Sequence, residues 1–381
     1  MIPRLLHLSF STLCALALVG CASGSGQTAR TLPHSAQFDL EYDWVYPLNS
    51  SPVKPLGGNP LELGNVSTSG GVTYVASSLG RVVAIDEAKA LPVWNISMDM
   101  PVTAGPVVTT QAVYVGLSDG SVVRLKKSNG EEVWRYQTGA AVENSLSVAN
   151  GLVACVNANN RIFVLNEDNG TLKWRRERPR SQEFSMYGQS APLIEGNVIY
   201  AGFSDGFLVA YAADNGTAIW SRELAPSARF KDLDVTPVKI ENLLYVASSS
   251  GGLYALDADN GQTLWQRDIF GISAIRAFQD SLYLSSQSGI FRLQRDTGET
   301  IWQNIIQKEA LISAIALGKN SIYASVQRYG LVILDRKSGD LRHVIDTGFD
   351  FTSAPVLTQG ALTTFSNKST IARFIVDDTP L

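Results

Sequence analysis

Short apolar runs rich in β-branched residues, each ended by a polar turn, follow one another from about residue 38 onward. A thirteen-residue unit recurs without insertion or deletion: four or five strand-forming residues, a turn that usually contains Gly, and a second run that ends in Trp or His. Because Gly adopts the positive φ of a tight hairpin turn, each unit predicts two antiparallel strands. The seven copies are residues 82–94, 122–134, 162–174, 208–220, 253–265, 290–302 and 331–343.

Two more strand-like runs precede each unit, as in residues 145–149 and 152–157 around a turn at Gly151. Each repeat is therefore predicted to be a four-stranded antiparallel meander. The Trp residues from Trp94 to Trp302 lie 40, 40, 46, 45 and 37 residues apart, and His343 follows 41 residues later. Four strands in a period of this length are typical of a β-propeller blade.

The two ends of the chain complete the blade count. Beyond residue 343 the pattern predicts three strands, at about 352–357, 361–366 and 370–376, while residues 38–46 form a strand with no repeat of its own. Pairing this N-terminal strand with the last blade supplies the missing outer strand and leaves no open edge. The sequence thus predicts an all-β fold, an eight-bladed β-propeller of four-stranded antiparallel blades closed by the N-terminal strand. The aromatic residues predicted to fill the wedges between blades are Trp44, Trp94, Trp134, Trp174, Trp220, Trp265, Trp302 and His343.

The first residues have the layout of an export signal. Residues 1–20 combine Arg4 with an apolar stretch and small residues before Cys21, as in secretory signal peptides. The sequence Leu-Val-Gly-Cys at this point resembles the bacterial lipobox, whose Cys is acylated and becomes the first mature residue. An ordinary secretory signal with an incidental Cys is the alternative. Residues 21–36 are small and polar and predict a flexible tether, which leaves residues 37–381 for the propeller.

Composition narrows the classes of function. The net charge is −4 and the isoelectric point is near 5.5, and no run of Lys or Arg could follow a phosphate backbone, so nucleic acid is not an expected partner. Once the signal is removed and Cys21 is lipidated, Cys155 is left as the free thiol, and its apolar surroundings predict a buried, unreactive residue. Beyond the signal the histidines are His34 and His343, which cannot form a His-based metal site or a Ser-His triad in the propeller. We therefore predict no catalytic residues, no metal and no cofactor.

Three segments resemble known families. Residues 255–265 read Ala-Leu-Asp-x-x-x-Gly-x-x-x-Trp, which is similar to the tryptophan-docking repeat of pyrroloquinoline-quinone-type propellers. Residues 187–192 (YGQSAP) and 232–237 (DLDVTP) resemble the segments RGESAP and DVDTTP of the BamB family of outer-membrane assembly lipoproteins. With the lipobox, this resemblance covers essentially all of the mature chain.

The resemblance implies a role and a set of partners. It implies a non-enzymatic scaffold that is lipid-anchored at the periplasmic face of the cell outer membrane and assists the insertion of β-barrel proteins. The implied partners are the POTRA domains of BamA, the other lipoproteins of the BAM complex and nascent outer-membrane proteins. The family's contact residues map onto Phe184, Met186, Asp232 and Asp234. Tyr187 stands where the family has Arg, so a salt bridge made by that Arg is not expected here.

The repeat lengths indicate the same region. The two longest Trp intervals, 46 and 45 residues, are consecutive, and the extra residues fall in the connections 178–189 and 225–234. Each connection joins an outer strand to the next inner strand, so we expect two exposed loops on one face of adjacent blades, where binding residues commonly lie. Their mixture of apolar and charged residues is typical of a protein interface. Ordinary loop variation, or capping of local backbone N–H groups by the two Asp side chains, would also explain these segments.

Two other functions are found on propellers of this kind. A quinone-dependent dehydrogenase shares the repeat, but enzymes of that class have a vicinal Cys pair, a catalytic Asp and a calcium site, and this chain has no adjacent cysteines. A propeller that binds polysaccharide or another envelope protein stays open, because a fold does not determine a function.

Overall fold

The apolar runs form β-strands in the computed structural model, which describes residues 41–48, 65–143, 146–179, 190–224, 226, 230–248, 250–306, 312–327, 329–345, 351 and 353–381. These residues form thirty-two strands, grouped in eight four-stranded antiparallel sheets. The sheets follow one another as the blades of a propeller, which confirms the predicted fold class. Within the described ranges no helix is long and apolar enough to cross a membrane.

The strands are numbered along the chain, beginning with β1 (Tyr42–Pro47), which belongs to the last blade. Blade 1 contains β2 (Val66–Ser69), β3 (Val72–Ala76), β4 (Arg81–Asp86) and β5 (Leu91–Ser97). Blade 2 contains β6 (Val102–Val108), β7 (Ala112–Leu117), β8 (Ser121–Lys126) and β9 (Glu132–Gln137). Blade 3 contains β10 (Ser147–Ala149), β11 (Leu152–Asn157), β12 (Arg161–Asn166) and β13 (Leu172–Glu177). Blade 4 contains β14 (Leu193–Glu195), β15 (Val198–Gly202), β16 (Phe207–Ala212) and β17 (Ala218–Glu223).

The second half of the ring repeats this order. Blade 5 contains β18 (Val238–Ile240), β19 (Leu243–Ser248), β20 (Gly252–Asp257) and β21 (Thr263–Arg267). Blade 6 contains β22 (Ile272–Phe278), β23 (Ser281–Ser286), β24 (Gly289–Gln294) and β25 (Thr300–Asn304). Blade 7 contains β26 (Ile312–Leu317), β27 (Ser321–Val326), β28 (Gly330–Asp335) and β29 (Leu341–Ile345). Blade 8 contains β30 (Val356–Thr358), β31 (Ala361–Phe365), β32 (Thr370–Ile375) and β1.

The thirteen-residue unit folds as the third and fourth strands of blades 1 to 7. In every copy the docking aromatic pairs with the same position of the third strand, as Trp174 does with Val164, and a register shift follows at once. Such a bulge adds twist where the outer strand leaves its neighbour. A shared register explains why the unit carries no insertion, because one extra residue would turn the aromatic to the other face.

Blade 8 is closed by the N-terminal strand, as predicted. β1 pairs with β32 in antiparallel register, with Trp44 opposite Arg373. The guanidinium of Arg373 forms ion pairs with Asp43 on β1 and with Glu87 in blade 1. The inner strands β2 and β30 of the first and last blades also contact each other. The first and last described strands therefore pair in blade 8, and this closure of the ring is called the seam below.

Inner strands of several blades are shorter than the sequence pattern predicts. The strand expected over residues 352–357 is β30, Val356–Thr358. Pro355 precedes it, and Pro192 and Pro237 likewise precede β14 and β18. Proline lacks the N–H that a ladder requires, so pairing begins only after it.

The seven tryptophans among the predicted wedge aromatics contact the next blade, whereas the docking of His343 stays a prediction. The indole N–H of Trp44, Trp94 and Trp134 donates at 2.9 Å to the carbonyl of Glu87, Lys127 and Glu167, respectively. Trp174 and Trp220 repeat this contact at 3.0 and 2.9 Å. Each acceptor lies in the hairpin turn of the next blade, so every bond links two sheets. In the described part of the chain the indole nitrogens of Trp265 and Trp302 have no such partner.

A glycine lies under each ring from Trp94 onward. Gly170, at φ +70°, is the clearest case, because a Cβ placed there would come within 2.5 Å of the Trp134 ring. The position therefore requires glycine both for its backbone conformation and for its close contact. Blade 1 departs from the rule: Ala90, at φ 54°, packs beside Trp44. The other ring-contacting glycines are Gly130, Gly216, Gly261, Gly298 and Gly339.

Candidate partner-binding face

Several predicted functional residues lie outside the described residues. These are Cys21, with the signal and the tether, and Phe184, Met186 and Tyr187 of the first long connection. The structure does describe residues 178–179 at the start of that connection and Ser190 directly after it, together with residues 226 and 230–234 of the second connection. The candidate face is therefore defined by these flanking residues.

The two long connections meet at their bases. The backbone N–H of Ser190, which ends the first connection, donates to the carbonyl of Leu233 in the second at 2.9 Å. Both residues are fully buried. Gly202, at the end of β15, lies beneath them, since a Cβ there would come within 2.7 Å of Ser190 Oγ and 2.8 Å of Leu233 Cβ. The described ends of the connections thus lie together beside blades 4 and 5. The exposed loops that the repeat lengths predict lie outside the described residues.

Arg178 and Asn160 fix the beginning of the first connection. Arg178 Nε donates to Asp205 Oδ2 at 2.8 Å, and its guanidinium lies 3.9 Å from the ring centre of Phe207. Asn160 donates from Nδ2 to the carbonyl of Pro179 at 3.0 Å and accepts at Oδ1 from the N–H of Ser204 at 3.1 Å. Because Asn160 is fully buried, these two bonds tie the connection to the turns of blades 3 and 4.

The second connection has a charged anchor of its own. Lys231 Nζ lies 3.1 Å from Glu223 Oε1, and the Lys231 carbonyl accepts from Ser248 Oγ at 3.4 Å. Gly206 in the adjacent turn makes room for this segment, because a Cβ there would come within 2.8 Å of Lys231 Cβ. Charges of both signs, from Arg178, Asp205, Glu223 and Lys231, therefore surround the bases of the connections.

The structure corrects the expected exposure of Asp232. This side chain is 2% exposed, although the sequence predicted that both acidic residues lie in exposed loops. The segment turns inward here because Leu233 is buried against blade 4 and its carbonyl is held by Ser190. Asp234 is partly buried and lines a cavity on the propeller axis. Both side chains interact with other parts of the protein.

A family model described as outer membrane protein assembly factor BamB matches residues 49–138 and 78–304. Together these matches cover about two thirds of the chain. The chain belongs to the BamB family.

Individual BamB relatives are distant. The chain is 25% identical to the BamB protein of Yersinia pestis over 185 residues, 44% of this chain and 47% of the relative. It is 26% identical to that of Bordetella pertussis over 224 residues, 58% of this chain and 55% of the relative. The chain thus spans about half the length of these curated relatives.

Solved structures support the propeller fold. BamB from Moraxella catarrhalis superposes with a TM-score of 0.77 at 18% identity, covering 88% of this chain and all of that one. Quinohemoprotein alcohol dehydrogenase from Comamonas testosteroni superposes with a TM-score of 0.70 at 14% identity, covering 90% of this chain and 78% of that one. At these identities the likeness concerns the fold alone, since both a BamB protein and an enzyme have it.

Two further side chains that could carry chemistry in this BamB-family chain, a thiol and a carboxylate, lie in positions that serve the fold. Cys155 is buried between blades, and burial raises the pKa of its thiol to about 12, so the thiol stays protonated at neutral pH. Asp257 accepts the backbone N–H groups of Asp259 and Asn260 in its hairpin turn. Among the described residues no group of three or more His, Cys, Asp or Glu side chains could hold a metal ion.

Sequence reasoning missed the clamp formed by Arg178, Asp205 and Asn160. A signal for Asn160 exists in the repeat alignment. Blades 1, 2 and 4 have Gly80, Gly120 and Gly206 at the position that Asn160 occupies in blade 3. Asn160 keeps the positive φ of that position, at 60°, and adds a side chain that can hold the connection.

Proposed function

We propose that this chain is a non-enzymatic scaffold of outer-membrane β-barrel assembly. In this proposal Cys21 anchors it at the periplasmic face of the outer membrane, and the candidate partner-binding face engages the POTRA domains of BamA within the BAM complex. Its membership of the BamB family supports this role. The observation that carries the choice of face is the bond between Ser190 and Leu233, which joins the described ends of the two long connections.

A loop is better suited to binding a partner when its two ends are fixed to the rest of the protein. Binding costs less conformational entropy when the contact residues are already oriented by a rigid support. The ion pair of Arg178 with Asp205 and the two bonds of Asn160 supply such support at the first connection. Aromatic and methionine side chains are enriched at the centres of interfaces, so Phe184, Met186 and Tyr187 are the proposed anchors.

The two Asp residues take different parts in this proposal. Asp234, which is partly open to solvent, is a proposed partner contact. Asp232 is buried and would act by holding the second connection. Its replacement by Arg would place an unpaired charge inside the protein and test only folding. Asp232→Asn, which keeps the shape, is the informative change.

Binding of the full-length lipidated protein in detergent to the purified POTRA region of BamA tests the face. We expect Tyr187→Ala to weaken binding about tenfold or more, as for an aromatic hot spot, with little dependence on salt because no charge is removed. Ile301→Ala is the matched control, because Ile301 is an exposed apolar residue on the remote outer strand of blade 6. Wild-type binding by both Tyr187→Ala and Phe184→Ala would refute the assignment of the face.

The anchor is tested separately. Cys21→Ser removes the thiol that would carry the lipid, so the mature protein should move from the membrane fraction to the soluble periplasmic fraction after a high-salt wash. Loss of a metabolic acyl label should accompany this change. A variant that keeps both the label and the membrane location would place the anchor elsewhere.

A further inference from the structure

A cavity of about 700 Å³ lies on the axis of the propeller, between the inner strands. Blades 1, 2, 5, 6, 7 and 8 contribute to its wall. Most of the lining is small or aliphatic, as at Val107, Ala314 and Ile315. Among the described residues of the wall, Asp234 and Arg276 are the charged ones.

The repeat makes it possible to compare the wall position by position. Arg276 pairs with Tyr283 on the neighbouring strand, and the same register defines one equivalent residue on every inner strand. In order around the ring these residues are Ser67, Val107, Ser147, Leu193, Val238, Arg276, Ala316 and Val356. Blade 6 alone has a charged residue there. The repeat does not require this charge, because seven blades form the same strand without it.

Arg276 faces the axial cavity with an exposed side chain and has no counter-ion among the described residues. Its one hydrogen bond there runs from Nη1 to the carbonyl of Ile275, at 2.9 Å, and it forms no ion pair with a described carboxylate. The surrounding protein lowers the pKa of the guanidinium below its usual value. Water reaches the side chain from the axial cavity. Most of the N–H donors of the guanidinium therefore face the cavity without a partner among the described residues. An anion in the cavity would form charge-assisted hydrogen bonds with them.

We infer that the axial cavity binds a small organic carboxylate through Arg276. A guanidinium matches the planar, two-oxygen geometry of a carboxylate. The volume lies within the range of small-molecule sites, and the aliphatic wall suits an apolar body. Asp234 in the same wall disfavours a second negative charge on the ligand. This inference does not rest on the proposed contact with BamA, although Asp234 belongs to both sites.

Titration of the full-length protein with benzoate, followed by calorimetry, tests this inference. The wild type should bind one benzoate per chain, and Arg276→Gln should weaken binding about tenfold to a hundredfold, as expected for loss of a charge-assisted hydrogen bond. Arg175→Gln, on the exposed outer strand of blade 3, is the matched control and should bind as the wild type does.

A second variant keeps the test informative if Arg276→Gln does not fold. Ala316→Trp fills the cavity from the equivalent position of blade 7 while leaving Arg276 in place, and it should abolish benzoate binding. Three results would overturn the inference: no saturable binding by the wild type, equal binding by Arg276→Gln, or equal binding by Ala316→Trp. Inorganic sulfate that binds as tightly as benzoate would contradict the requirement for an organic carboxylate.

Discussion

The outer rim and the candidate partner-binding face are built from the same repeat, yet they differ in how strictly they follow it. At the rim, a tryptophan of one blade packs on the hairpin turn of the next, with the same geometry from blade to blade. At the face, the connections differ in length, and one turn glycine is replaced by Asn160, which holds the first connection. The comparison teaches that repeated contacts specify the fold, and that departures from the repeat indicate where the molecule can bind.

Deletion of residues 38–47 should have the largest effect. It removes β1 from blade 8, exposes a sheet edge and loses the contact of Trp44 with blade 1. Truncation of a buried Trp alone costs about 3–5 kcal/mol, so the loss for the whole strand should exceed this. Urea unfolding followed by circular dichroism measures it, with Trp44→Ala as the smaller step. A deletion variant as stable as the wild type would show that the seam does not hold the ring.

Gly170→Ala should come next. The substitution places a methyl group against Trp134 in a backbone conformation that alanine disfavours, and we expect a loss of about 2–4 kcal/mol. Gly151→Ala is the control, because Gly151 has a similar φ of +73° but nothing within 4 Å of an added Cβ; it should cost about 1 kcal/mol. Equal losses of stability at the two sites would mean that the close contact with the Trp134 ring adds nothing to the cost of the positive φ.

Asn160→Gly introduces the residue that blades 1, 2 and 4 have at this position. It removes two side-chain hydrogen bonds, so the free energy of unfolding should fall by about 1–2 kcal/mol. Binding to the POTRA region should weaken as well, because the first connection loses its support. Stability and binding are measured on the same sample; unchanged binding would show that Asn160 serves the fold only.

Ala90→Gly makes the corresponding change at the rim and should have the smallest effect. Ala90 has a φ of 54°, which glycine adopts without strain, so a gain of up to about 1 kcal/mol is expected. A melting temperature equal to or slightly above that of the wild type is the predicted result. A clear loss would mean that the methyl group of Ala90 is needed against Trp44.

Much of the fold could be predicted because the repeat specifies register. The thirteen-residue unit places six of the seven Trp residues at one position, and the unmatched strand with Trp44 indicates closure. Burial of Asp232 could not be predicted, because it depends on contacts of its neighbour Leu233 with Ser190 and Gly202, which are distant in sequence. The position of Arg276 in the cavity wall could not be predicted either, for a different reason. Inner-strand residues are half-exposed to the axis whether polar or apolar, so alternation does not distinguish the wall of the cavity.

Site-specific photo-crosslinking in intact cells tests the central claim most directly. A photoreactive amino acid is placed at Met186 in the first connection and, as control, at Ile301 on the outer strand of blade 6. We predict a crosslinked product at position 186 that contains BamA, and no such product at position 301. Crosslinking to BamA from position 301 with none from position 186 would contradict the proposed face.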